Sequence, residues 1–111
     1  MADRIKLVQG DTGPQLQLTL TDEVTGNVID LTSATVTLHF RASGSDTVLF
    51  DRVCYVNPAT ATSGVAVVIW QTGDLNQEPG SYEGEIEIVF PTGMRQTVYD
   101  LLKFTIRGDF A

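Results

Sequence analysis

Polar and apolar residues alternate with a period of two along much of this chain. In the clearest run, Tyr82, Gly84, Ile86, Ile88 and Phe90 share one parity while Glu83, Glu85 and Glu87 occupy the other. A strand has that side-chain period, so this segment is predicted to bury one face and wet the other. Three glutamates on a single face exclude an apolar cover there, because each unpaired buried carboxylate costs several kcal/mol. The pattern therefore predicts an antiparallel sheet with one solvated side.

The same test places the other elements. Ile5 to Val8 forms a short first strand at a sheet edge, ending at the turn cluster Gly10, Asp11, Thr12, Gly13 and Pro14. Leu16, Leu18 and Leu20 alternate with glutamines and threonines, and Val36, Leu38 and Phe40 with Thr35, Thr37, His39 and Arg41. Val28 to Leu31 is a shorter candidate. Val48 to Val56 alternates imperfectly, placing Asp51 and Arg52 on opposite faces unless a bulge intervenes. Val65 to Trp70 is apolar on both parities and suits a strand shielded on both sides. Gln71 to Gln77 reads as a polar crossover with one helical turn, and Gln96 to Ile106 as one long final strand with Val98, Leu102, Phe104 and Ile106 inward.

That makes about seven strands separated by Gly, Pro, Asn and Asp turns, with no amphipathic helix of useful length. The predicted fold is all-β, a single domain spanning residues 1–111 built as an antiparallel two-sheet immunoglobulin-like β-sandwich. Tyr82, just past the Pro79 and Gly80 turn and a few residues after Asp74 and Leu75, resembles the tyrosine corner of such sandwiches, whose hydroxyl bonds back to upstream backbone. Trp70, the sole tryptophan, is expected in the core.

Composition narrows the function. A hydrophobic fraction of 42% against 19% charged residues is that of a folded domain rather than a disordered chain. Fourteen acidic and seven basic residues give a net charge of -7, which repels phosphate backbones, and the cations are scattered from Arg4 to Arg107, so no nucleic-acid partner is expected. One cysteine, Cys54, precludes an internal disulfide and reads as a small buried hydrophobe. The first residues lack the apolar core of a signal peptide, and no run is long enough for a membrane span, so a soluble chain with no membrane insertion is expected.

Candidate chemistry is sparse. Asp22, Glu23 and Asp30, with the Asn27 amide, could gather a calcium ion, but their spacing matches no ordered calcium loop. His39, the only histidine, falls on a polar parity without a visible set of partners, so neither a hydrolytic triad nor a histidine metal site is expected. The row Glu83, Glu85 and Glu87 has neighbouring carboxyls about 7 Å apart and invites comparison with a glycosidase pair. It fits a solvated face better, or a surface that meets a basic patch on a partner. No catalytic residue, metal ligand or cofactor is predicted, and the expectation is a non-enzymatic protein. The Arg107, Gly108 and Asp109 tripeptide is assigned no function.

The order of pieces resembles the immunoglobulin-like amino-terminal domain of phage baseplate upper proteins, found also among prophage tail proteins. The resemblance spans most of the chain. It rests on Val8 to Pro14 leading into the Leu16, Leu18 and Leu20 strand, on Ile29 to Val36 ahead of His39, Phe40 and Arg41, and on Trp70, Asp74, Pro79 to Glu83, Phe90 and Gly93. It implies a virion structural part, made in the bacterial host cytoplasm, that docks onto other tail or baseplate proteins, with no catalytic residues to carry over. Many members of that family continue into further modules, whereas this sequence ends at Ala111. An edge such as Ile5 to Val8 or Val48 to Val56 could also pair with a second copy to give a homo-oligomer. The competing expectation is a carbohydrate- or host-surface-binding sandwich, with Tyr55, Tyr99, Trp70 and Phe110 as candidate stacking aromatics.

Overall fold

A computed structural model describes residues 4–98 and 101–110. Among these residues eight strands form: β1 (Ile5–Val8), β2 (Gln15–Thr19), β3 (Thr35–Ala42), β4 (Val48–Val53), β5 (Val65–Ile69), β6 (Gly80–Val89), β7 (Arg95–Thr97) and β8 (Leu102–Arg107). The larger sheet has the order β1, β8, β6, β3, β4, with β7 also paired to β6; the smaller pairs β2 with β5. This is the expected all-β sandwich, with two differences in pairing. β1 runs parallel to β8, Ile5 opposite Phe104 and Leu7 opposite Ile106, where antiparallel pairing was expected throughout. The predicted final strand is split: β7 pairs with residues 87–89 of β6 and β8 with residues 80–84 on the same edge.

The alternation puts Val36, Leu38 and Phe40 of β3, Tyr82, Ile86 and Ile88 of β6 and Phe104 and Ile106 of β8 between the sheets, facing Leu18, Leu20, Ala66, Val68 and Trp70. Full burial of each large apolar side chain contributes about 1.5 to 3 kcal/mol. Phe40 is the hub. Its ring stacks on Tyr82 at 5.3 Å and on Phe50 at 4.9 Å, while Trp70 meets it edge-on at 6.0 Å, arrangements that favour the ring quadrupoles. Gly84 breaks the apolar row for a steric reason: a Cβ there would lie 2.6 Å from Leu38 Cδ1 and 3.0 Å from Phe104 Cε2.

The Tyr82 hydroxyl donates to the Glu78 carbonyl four residues upstream, so the tyrosine corner forms. Trp70 is 3% exposed and belongs to the core. Between them, residues 71–77 make turns rather than the expected helical turn, with Asp74 and Leu75 buried. Of the expected strand at Val28 to Leu31, one bridge forms, Val28 to Thr21. β4 is bulged at Leu49, since Phe40 pairs with Phe50 but Arg41 with Val48. β4 then changes sheets: the Cys54 amide donates to the Val36 carbonyl in the larger sheet, and Tyr55 exchanges both backbone hydrogen bonds with Val67 in the smaller.

Candidate interaction face

The outer face of the larger sheet carries the predicted glutamates, and strand register decides what each one meets. β3 runs beside β6 with Thr37 opposite Glu87, His39 opposite Glu85 and Arg41 opposite Glu83; on the other side Lys103 of β8 lies opposite Glu83. Cross-strand neighbours on one face are close enough to pair. Arg41 Nη2 reaches Glu83 Oε1 at 2.7 Å, and Lys103 Nζ approaches Glu83 Oε2 at 3.4 Å. Glu83 is therefore 6% exposed, which corrects the expectation of a wet row. Two cations cover it. The Arg41 hydrogen bond is the main reason its carboxyl titrates below the ordinary range, against a smaller opposing effect of burial.

His39 also departs from expectation, because its partners exist but lie far away in sequence. Nδ1 is 2.5 Å from Asp51 Oδ1 on β4, and Nε2 is 2.8 Å from Glu87 Oε1 on β6. Burial opposes the charged ring, but the hydrogen bonds to Asp51 and Glu87 with their charges outweigh it and raise the imidazole pKa. Glu87 is half-buried and also meets Arg95 at 3.2 Å; its pKa is lowered chiefly by His39. Glu85 is exposed and joins no ion pair among the described residues. The three glutamates thus have three environments: cationic cover, a histidine bridge and open solvent.

The remaining candidates are scattered. Asp22 Oδ1 accepts from the Val24 and Thr25 amides and Asp30 Oδ1 from the Thr32 amide and hydroxyl, so both acids hold their own turns and their pKa values fall on that account. Among the described residues no three His, Cys, Asp or Glu side chains are grouped to hold a metal ion. Cys54 is buried, which pushes its thiol up to about 11. Both nitrogens of His39 are directed at carboxylates rather than at a nucleophile. Of the stacking aromatics, Trp70 is enclosed, Tyr55 and Phe110 are exposed, and Tyr99 lies outside the described residues.

Sequence reasoning missed one pair altogether. Arg52 points inward from β4 and forks onto Asp74 in the turn before the tyrosine corner. The available signal was an arginine at the inward parity of Phe50 and Cys54.

No protein-family model matches the chain, and no curated protein matches it. Among solved structures it is similar to CopC from Methylosinus trichosporium OB3b, with a TM-score of 0.55 and 9% identity over 99% of this chain and 89% of that one. At that identity the likeness shows the fold alone, a two-sheet β-sandwich.

Proposed function

We propose that this domain is a non-enzymatic assembly module of a phage or prophage tail or baseplate, held in the virion by docking onto other tail proteins. The resemblance of its ordered sequence pieces to baseplate upper proteins motivates the setting. One structural observation carries the docking role: along β4 and its continuation, Val48, Leu49, Val53 and Tyr55 are between 45% and 64% exposed. Four exposed apolar side chains within eight residues of one sheet edge suit a contact with another protein better than free solvent. Several of its ionisable side chains support the reading too, being committed to one another as Arg41 with Glu83, Arg52 with Asp74, and His39 with Asp51 and Glu87.

Co-expression with the tail proteins encoded beside it is the test. A stable complex that weakens when Leu49 and Val53 are both changed to serine is expected. Absence of any complex with those neighbours would reject the assembly reading. Saturable binding of host cell-wall polysaccharide, lost on Tyr55→Ala, would replace it with the carbohydrate reading.

A further inference from the structure

Among the described residues, the larger sheet ends at β1 and the short β7, which carries Arg95, on one side and at β4 on the other; the smaller ends at β2 and at β5, whose Val67 is bridged to Tyr55. Exposed edges invite foreign strands, and folded proteins blunt them with charge or bulges. β1 carries Lys6 and is flanked by Arg4; β4 carries Asp51 and the bulge at Leu49. β2, reading Gln15, Leu16, Gln17, Leu18 and Thr19, has neither device within it, and only Pro14 stands before it.

The free edge of β2 is also structurally specific. In a constant-type immunoglobulin sandwich the sheet holding the second strand has a first strand beside it. Here the first strand has gone to the other sheet, pairing with β8, and among the described residues no strand pairs along that flank of β2. Leu20 donates to Gly64 on the β5 side, so the antiparallel alternation turns the backbone groups of Gln15, Gln17 and Thr19 away from β5, toward that flank. Among the described residues, a groove of about 930 Å³ adjoins the Leu18 and Thr19 end of that flank, floored by Leu18 and Leu20 on one side and Ile86, Val98, Leu101 and Leu102 on the other. Amides without a ladder partner among the described residues, continuing into an apolar trough, are what strand addition requires.

The charge around the groove selects the occupant. Arg41 and Lys103 line it, but both are engaged by Glu83, while Glu85 on the same wall is exposed and outside any described ion pair. The domain as a whole carries -7, which opposes a second copy. We infer that the β2 edge and its groove accept an extended segment of a partner protein in which apolar residues alternate with lysine or arginine. The apolar side chains fill the groove, the backbone adds to β2, and the cations meet Glu85 and the net negative charge of the domain. This names a contact distinct from the exposed β4 residues, and relies on the assembly reading only in expecting a protein partner.

Two synthetic peptides test it on the intact chain: one alternating valine with lysine, and one with glutamate in place of lysine. The lysine peptide should give saturable amide shifts in nuclear magnetic resonance spectra, centred on Gln15, Gln17 and Thr19, and the glutamate peptide none. Gln17→Pro removes an amide from the free edge while sparing the ladder to β5, a position where proline is tolerated. It should melt as the parent does and weaken the lysine peptide about tenfold or more. Glu85→Lys, at an exposed site, should weaken the lysine peptide independently of any backbone change.

No saturable shift, shifts centred elsewhere, equal binding of the two peptides, or undiminished binding by a folded Gln17→Pro and by Glu85→Lys would each overturn the inference. Dimerisation in sedimentation that dissolves in Gln17→Pro would assign the edge to a second copy and overturn it equally. A tail protein that binds parent and Gln17→Pro alike would remove this site while leaving the assembly reading intact.

Discussion

The Arg52 guanidinium meets the Asp74 carboxylate with two prongs, Nε to Oδ2 at 2.8 Å and Nη2 to Oδ1 at 2.5 Å. The Asp74 side chain also accepts from the Gln71 amide at 2.8 Å, so one carboxylate ties β4 to the turn that precedes the tyrosine corner. Removing either partner strands the other in a largely enclosed site. Asp74→Ala should destabilise by about 3 kcal/mol, the lower end for a broken buried pair because Arg52 retains some contact with water. The double change Arg52→Met with Asp74→Ala should recover part of that loss. Urea denaturation of the three variants measures both.

The outer-face glutamates should respond unequally to charge reversal. Glu85→Lys is expected to shift stability by no more than about 0.5 kcal/mol, as at an ordinary surface position. Glu83→Lys places a third cation between Arg41 and Lys103 and should cost well over 1 kcal/mol. Thermal melting of the two single variants separates them, and equal melting temperatures would contradict the burial of Glu83.

The opposite pKa shifts on this face set a pH optimum. His39 binds its proton more tightly folded than unfolded, so its contribution is fully present below its ordinary pKa of 6.5 and is lost as pH rises through the raised folded value. Glu83 and Glu87 are shifted down, so theirs is present above the ordinary 4.5 and lost as pH falls through the lowered values. Stability should therefore be greatest between these two pH values. In His39→Gln the decline on the alkaline side should flatten while the acid limb persists, which denaturation at a series of pH values will show.

Gly84 offers a packing test. Gly84→Ala drives a methyl into Leu38 and Phe104 and should cost about 1 to 3 kcal/mol by overpacking. Leu38 contributes the closer atom, so Leu38→Val in the same chain should relieve part of the cost, a coupling that a double-mutant cycle reads directly.

Much of the fold was legible because a strand writes its burial into parity: Leu18, Val36, Leu38, Phe40, Ile86, Ile88, Phe104 and Ile106 are all buried as the alternation requires. Parity says which face a residue takes, not which strand lies next to it. Glu83 was assigned correctly to the outer face, yet its cover by Arg41 and Lys103 depends on β6 lying between β3 and β8. His39 lacked visible partners for the same reason, since Asp51 and Glu87 are brought to it by register. The break between β7 and β8 had a signal in Asp100, an acid at the inward parity of the expected strand, and in Leu101, an apolar residue at the outward one. The parallel pairing of β1 left no local trace.

β8 lies inside the larger sheet, between β1 and β6. The last strand of the domain to leave the ribosome is thus interior rather than peripheral. Until it inserts, β1 has no neighbour to pair with, and the contact of Ile5 with Phe104 must close a loop of nearly the whole chain. Contacts so distant in sequence form slowly, because loop entropy is lost before pairing returns anything. A nascent chain halted before β8 should hold β3, β4 and β6 together around Phe40, with β7 on the far end of β6 and the Gly80 to Gly84 stretch of that edge left bare until the last strand emerges.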